Sequence, residues 1–240
     1  MKKRIIIIAA VIAVLMLTGA LLFKIMNLRS FQFFGGLVSQ VNTDEKVVAL
    51  TFDDGPTEKT DEILKILEES DINTTFFLNG GSIAENPDNA RKIAEAGHEL
   101  GNHTYSHKRM IFKGYSYIKR EIEDTDKLIR EAGYSGDINF RPPNGKKLLL
   151  LPYYLHRHGR RTIMWSMEPD SYPELASSPE KITEYVEDNI KPGSIILLHV
   201  MYDNEKRGSL EAIKSIAAAL KEKGYRFVTV SELLEYENKP

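Results

Sequence analysis

The chain has no cysteine. No disulfide can staple it and no thiolate can hold a metal, so a bound cation must use imidazole, carboxylate or backbone oxygen. Acid is missing from one end: residues 1–43 carry Lys2, Lys3, Arg4, Lys24 and Arg29 but no Asp or Glu. Beyond them stand 27 basic against 34 acidic side chains, a net of −7 inside an overall formal charge of −2, which argues against nucleic acid as a partner. Internal repeats and low-complexity tracts are also lacking. What remains, 42% hydrophobic and 28% charged over 240 residues, suffices for one core of roughly 200 residues with a short appendage.

The appendage is N-terminal. A basic cluster precedes an uncharged apolar run, Ile5 to Phe23, which at about 1.5 Å per helical residue matches the hydrocarbon core of a bilayer. A cleaved signal peptide begins the same way. Here, however, the small-residue pair Thr18 and Ala20 is followed by apolar Leu21 to Phe23 instead of a polar mature start. The expectation is an uncleaved anchor over residues 1–26 in a single pass. The positive-inside rule places its basic tip in the cytoplasm and the rest outside the cell membrane; cleavage would make the protein secreted. Residues 27–46 read as a linker and 47–236 as the folded domain.

Within that domain two patterns alternate. Short β-branched or aromatic runs, VVALTF, TTFFL, HELGN, NFRPP, TIMWS, SIILLH and RFVTV, are separated mostly by stretches with helical spacing: 60–70, 87–96, 116–132, 179–190 and 210–223. Gly97, Gly133 and Gly224 follow three of these, as helix stops do. About seven strands alternating with helices imply an α/β fold with a parallel sheet, closed as a barrel or doubly wound. Either arrangement gathers chemistry at the carboxyl ends of the strands. The polar residues fall there: Asp53 and Asp54 after the first run, His103 and His107 after the third, Arg141 after the fourth, Glu168 and Asp170 after the fifth, and His199 after the sixth.

Two adjacent carboxylates ending a buried strand need a positive charge nearby. His103 and His107, four apart, would lie on one side of a single helical turn and could share a cation with one of the aspartates, leaving a position for water. Such a cation would keep its ligand ionised beside the second carboxylate. Plainer readings fit other residues. His98 suits a helix-end cap, and His156 and His158 in LHRHGRR suit a basic surface turn. Tyr105, Tyr172 and Tyr202 lie near strand ends, where aromatic faces suit sugar rings.

The motifs TFDDG (51–55), HTYSH (103–107), RPPNG (141–145) and LLH (197–199) resemble those of the polysaccharide deacetylases of the chitooligosaccharide deacetylase (NodB-homology) type, carbohydrate esterase family 4. The resemblance spans about residues 46–234. It implies a distorted (β/α) barrel smaller than the eight-fold one, with a divalent metal, usually zinc, on Asp54, His103 and His107. By the same resemblance Asp53 is the general base, held by Arg141; His199 is the general acid; the backbone N–H of Asn144 is an oxyanion donor; and Leu197 floors the acetyl methyl. The implied activity is hydrolysis of N-acetyl groups on N-acetylglucosamine-type residues of peptidoglycan or a chitin-like glycan. An idle carbohydrate-binding module on the same fold, or a deacetylase of another glycan or a small amide, are the alternatives. The fourth motif departs from the family pattern, so that either Glu168 or Asp170 could tune His199, and Val200 stands where the family commonly has aspartate.

Overall fold

The computed structural model describes residues 2–176, 178–201 and 207–238. Helix α1 (Lys2–Asn27) is long and apolar enough to cross a membrane and buries none of its residues. Seven strands follow among the described residues: β1 (Leu37–Val38), β2 (Val47–Asp53), β3 (Thr75–Leu78), β4 (Glu99–Asn102), β5 (Thr162–Ile163), β6 (Ile195–Leu198) and β7 (Arg226–Phe227). Between and after them run α2 (Thr60–Glu69), α3 (Gly80–Glu85), α4 (Pro87–Glu95), α5 (Tyr115–Glu131), α6 (Leu150–Arg157), α7 (Pro173–Ala176), α8 (Pro179–Asn189), α9 (Arg207–Glu222) and α10 (Val230–Glu235). Helices α4, α5 and α9 stop at the expected glycines, whose φ values are 83°, 92° and 80°. Helix α10 starts with a capping box, Thr229 and Glu232 each closing on the other's backbone N–H.

The expected distorted barrel of about seven parallel strands is met in part: the strands pair in parallel, but not in one continuous ladder among the described residues. Parallel ladders run in the order β4-β3-β2-β6, with β7 also on β2 and β1 paired separately to β5. The run NFRPP supplies no strand. Phe140 alone bridges Asn102 on one side and Thr162 on the other, and Met167 bridges Ile196. Pairing therefore passes from β4 to β5 and back to β6 through single residues. Pro142 and Pro143 account for the first interruption, because proline has no N–H to continue a ladder. LHRHGRR is also not all turn: its first three residues end α6, with the His158 ring stacked on Tyr154 at 4.1 Å.

Strand β2 is buried along its whole length, as a central parallel strand must be. Its side chains alternate between two cores. Val48, Leu50 and Phe52 pack outward with Ile63 and Leu67 of α2 and Ile213 and Ile216 of α9. Val47 and Ala49 pack inward with Phe77, Ile163, Trp165 and Leu197. Thr51 and Asp53 continue the inward row, which carries the sheet's polar end into the middle of the fold. In β4 the inward position before the site is Gly101, where a Cβ would lie 2.5 Å from the Phe77 ring.

Part of the stretch read as a linker belongs to this structure. β1 pairs with β5, Val38 and Val41 are buried, and the Val41 N–H donates to the Gly193 carbonyl at 2.9 Å. Gly193 has φ 75°, and a Cβ there would meet the Val41 carbonyl oxygen at 1.9 Å. Left-handed strain and the backbone clash act together, so Gly193→Ala should destabilise the fold by about 2 kcal/mol or more. A lowered thermal midpoint by near-ultraviolet circular dichroism checks this; an unchanged one would show the 41–47 segment to be loosely held.

Candidate active site

Asp53 ends the inward row of β2 almost fully buried, and the wholly buried Arg141 meets it. The guanidinium donates from Nη1 to Asp53 Oδ1 at 2.6 Å and to Thr51 Oγ1 at 2.9 Å, and from Nη2 to the Met164 carbonyl at 3.1 Å. It also lies 4.0 Å from the centre of the Phe77 ring. Burial would raise the Asp53 carboxyl, but interactions led by the charge and hydrogen bond of Arg141 outweigh it and hold the group below its ordinary 3.8. A buried carboxylate so paired stays ionised.

Asp54 turns away from its neighbour because its φ is 75°, so two consecutive carboxyls address different partners. Its Oδ1 accepts from Asn79 Nδ2 at 3.1 Å and lies 3.3 Å from His107 Nε2 and 4.0 Å from His103 Nε2. The two imidazoles are 5.0 Å apart. They do not share a helical turn: 103–107 is a loop with Thr104 at φ 68° and His107 at φ 53°. Asn102 Oδ1 accepts from the Thr104 N–H at 2.8 Å, and the loop carbonyls of Thr104 and Tyr105 accept from the N–H groups of Gly80 and Gly81 at the start of α3. The buried Glu121 of α5 takes the Ser106 N–H and hydroxyl at 2.8 and 2.9 Å.

The donor chemistry fits a cation. His103 Nδ1 is 2.8 Å from the Arg141 carbonyl, which can only accept, so Nδ1 carries the proton and the neutral ring's lone pair sits on Nε2. That lone pair faces Asp53 Oδ2 at 3.6 Å as well as Asp54. Burial pushes His103 below its ordinary value although both aspartates pull the other way, so the ring is neutral at neutral pH. One ligand atom from each of Asp54, His103 and His107 lies within 4.8 Å of the others.

His199 follows β6 on its inward face. Asp170, buried, accepts its backbone N–H at 2.6 Å through Oδ2 and its ring Nδ1 at 3.2 Å through Oδ1. Glu168 is engaged elsewhere, by Trp165 Nε1 at 2.8 Å, the Ser171 hydroxyl at 2.6 Å and Arg29 at 2.9 Å. A cavity of about 420 Å³ brings Asp53, Asp54, His103, His107, Asn144, Glu168 and His199 together. Asn144 sits there at φ 53°, its side-chain oxygen accepting from Arg109 at 3.2 Å. Leu197 lies in the inward core beneath, against Trp165 and Phe77. Tyr105 and Tyr172 are partly exposed and outside the cavity lining, and Tyr202 is outside the described residues. His98 is buried with its ring accepting from the Thr74 N–H at 3.4 Å, and burial draws it down to about 4.

Sequence reasoning missed Thr51, Glu121 and the lining residues Asn27, Arg29 and Lys146, whereas Trp165, which reads from its strand pattern as core within reach of the groove, is both. Thr51 was legible, two residues before Asp53 on the same strand face; the others are brought in by tertiary packing. Because Glu121 takes both the N–H and the hydroxyl of Ser106, with the Tyr117 hydroxyl adding one contact at 3.2 Å, Glu121→Ala should loosen the His107 loop and weaken zinc binding by about tenfold. Titration calorimetry with zinc measures this, and unchanged affinity would remove Glu121 from the support of the site.

Residues 40–163 match the family model described as polysaccharide deacetylase. The peptidoglycan-N-acetylglucosamine deacetylase of Bacillus cereus is 34% identical over 205 residues, covering 85% of this chain and 95% of that protein. The crystal structure of the Bc1960 peptidoglycan N-acetylglucosamine deacetylase superposes with a TM-score of 0.77 at 32% identity, over 82% of this chain and 92% of that one. BA3943 of Bacillus anthracis, described as a CE4 family pseudoenzyme, superposes with a TM-score of 0.74 at 28% identity, over 84% of this chain and 70% of that one. With the matched segment reaching from the Val41 contact through β5, and with near-complete coverage of its relative, this chain belongs to the polysaccharide deacetylase family.

Proposed function

We propose that the protein is a membrane-anchored, metal-dependent deacetylase that removes N-acetyl groups from N-acetylglucosamine-type residues of an extracytoplasmic glycan, peptidoglycan before chitin-like oligomers. The observation that carries this reading is the His103 ring, held neutral with its lone pair turned toward two carboxylates in a cavity that also holds an acid–base pair. Relatives named for peptidoglycan deacetylation support the choice of glycan. The apolar α1 supports an anchor over residues 1–26 with the basic tip cytoplasmic, and a catalytic domain over 47–236 to which β1 and Val41 contribute.

Asp54, His103 and His107 would hold the divalent ion, zinc by preference for two imidazoles and a carboxylate. When bound, such an ion acidifies water and stabilises negative charge on the acetyl oxygen. Asp53, aimed by Arg141, accepts the proton of water as its oxygen adds to the acetyl carbon. The Asn144 backbone N–H faces the developing oxyanion. His199, oriented through Nδ1 by Asp170, delivers a proton from Nε2 to the amide nitrogen as the C–N bond breaks, so acetate and a free amine leave. Glu168 has no part in this step, being committed to Trp165 and Arg29.

The test measures acetate released from acetylated chitooligosaccharide and peptidoglycan by the full chain in detergent. Chelation should abolish release and zinc should restore it; release indifferent to chelator would remove the metal from the mechanism. Asp53→Asn should keep its metal and lose about 10³-fold in kcat, and Asp170→Asn about 10²-fold. His103→Ala should lose both metal and turnover. Glycan binding without acetate release under any divalent metal would favour the idle binding module.

A further inference from the structure

The segment that leaves α1 forms part of the cavity wall. Asn27 and Arg29 line it beside Lys146, Trp165, Glu168 and Ser171. Arg29 donates to Glu168 Oε2 at 2.9 Å, and its guanidinium carbon lies 4.6 Å from the centre of the Trp165 ring, whose Nε1 donates to the same Glu168 oxygen. Behind this wall the segment is fastened by the next pair of lysines. Lys146 Nζ donates to Asn27 Oδ1, Lys147 Nζ to the Leu28 carbonyl, and the Lys147 N–H to the Met26 carbonyl at 3.4 Å. Lys147 is only 1% exposed, and burial with the nearby Lys146 draws its ammonium down to about 8. Burying an ammonium is costly unless it is hydrogen-bonded. Its acceptor here comes from the segment itself, which marks residues 26–29 as a seated part of the domain.

We infer that Arg29 is a positioning residue of the sugar site, holding the Trp165 ring and the Glu168 carboxylate as one wall against which an acetylated glycan is seated. This rests on the deacetylase reading for the nature of the ligand. It also explains Glu168, a carboxylate in the altered fourth motif that does not serve His199. Trp165 is only 5% exposed, with the Arg29 and Arg141 guanidiniums 4.6 and 5.6 Å from its ring centre, so the wall presents to the cavity the Arg29–Glu168 pair laid over that ring. A chain begun at Val47 would keep Trp165 and Glu168 but lack the Arg29 that holds them together.

Trp165 is the chain's single tryptophan, so its emission reports the wall directly. The full chain in detergent is compared with Arg29→Ala, Arg29→Lys and Glu168→Gln, using chitotetraose as ligand and acrylamide as quencher. Arg29→Ala should make Trp165 about twofold more quenchable, weaken chitotetraose binding and raise KM by about tenfold, and change kcat less than about twofold, with zinc content unaltered. Arg29→Lys should fall between, because lysine keeps the charge but not the planar stacking. Glu168→Gln, nearly equal in volume, should repeat the loss if Arg29→Ala proves unstable. Quenching and chitotetraose affinity unchanged in both Arg29→Ala and Glu168→Gln overturn the inference. A parent chain that releases no acetate would defeat the deacetylase reading alone, since quenching and binding are measured without turnover.

Discussion

Arg141 sets the protonation of two groups at once, and the site depends on that. Its guanidinium pairs with Asp53 and so keeps a buried carboxyl ionised; its carbonyl, 2.8 Å from His103 Nδ1, fixes which ring nitrogen bears the proton. A base and a metal-ligand candidate are thus prepared by one residue from opposite ends of its structure. Such a cation can be buried only because Thr51, Met164 and the Phe77 face surround it. Bringing Phe77 so close requires Gly101 on the neighbouring strand, so the packing of the inward core and the electrostatics of the site are one arrangement.

Parallel-sheet geometry supplies the rest of the convergence. Asp53 and His199 each lie two residues after an inward position, Thr51 and Leu197, on adjacent strands in register. Period-two alternation then sends both side chains to the same side. Because the pairing from β4 to β5 rests on Phe140 alone, the chain leaves the sheet immediately afterwards at Pro142 and Pro143. That exit turns Asn144 into the cavity at a positive φ. The interruption in the ladder is thus also what brings Asn144 to the cavity.

These features were legible in the sequence to different degrees. The convergence of Asp53, Asp54, His103, His107, Arg141 and His199 could be read because each follows an apolar run, and strand ends in a parallel sheet meet. Helices α2, α4, α5, α8 and α9 could be read from their apolar stripes, and three of them also from a terminal glycine. The route by which His103 and His107 meet could not: spacing of four suggests a helical turn, whereas left-handed residues and the Asn102 and Glu121 side chains shape a loop. The choice between Asp170 and Glu168 was equally hidden, since it turns on a 3₁₀ turn at Pro169–Ser171 that points one carboxylate at His199 and leaves the other to Trp165. β1 and the Val41 contact escaped because two-residue pairings leave no periodicity to detect.

A pseudoenzyme of the same fold among the structural neighbours shows that backbone likeness alone does not carry activity. The case for chemistry here therefore rests on side chains whose arrangement would be wasteful in a binding protein. A glycan groove needs aromatic faces and hydrogen-bond donors. It gains nothing from an imidazole whose lone pair is turned toward two carboxylates, because those groups are left facing one another unless a cation or a proton occupies the gap. Asp170 on His199 adds a second imidazole, held through its backbone N–H and Nδ1 at the edge of the same cavity. An arginine-paired carboxylate and a carboxylate-held imidazole flanking three candidate cation ligands match what the proposed amide hydrolysis requires.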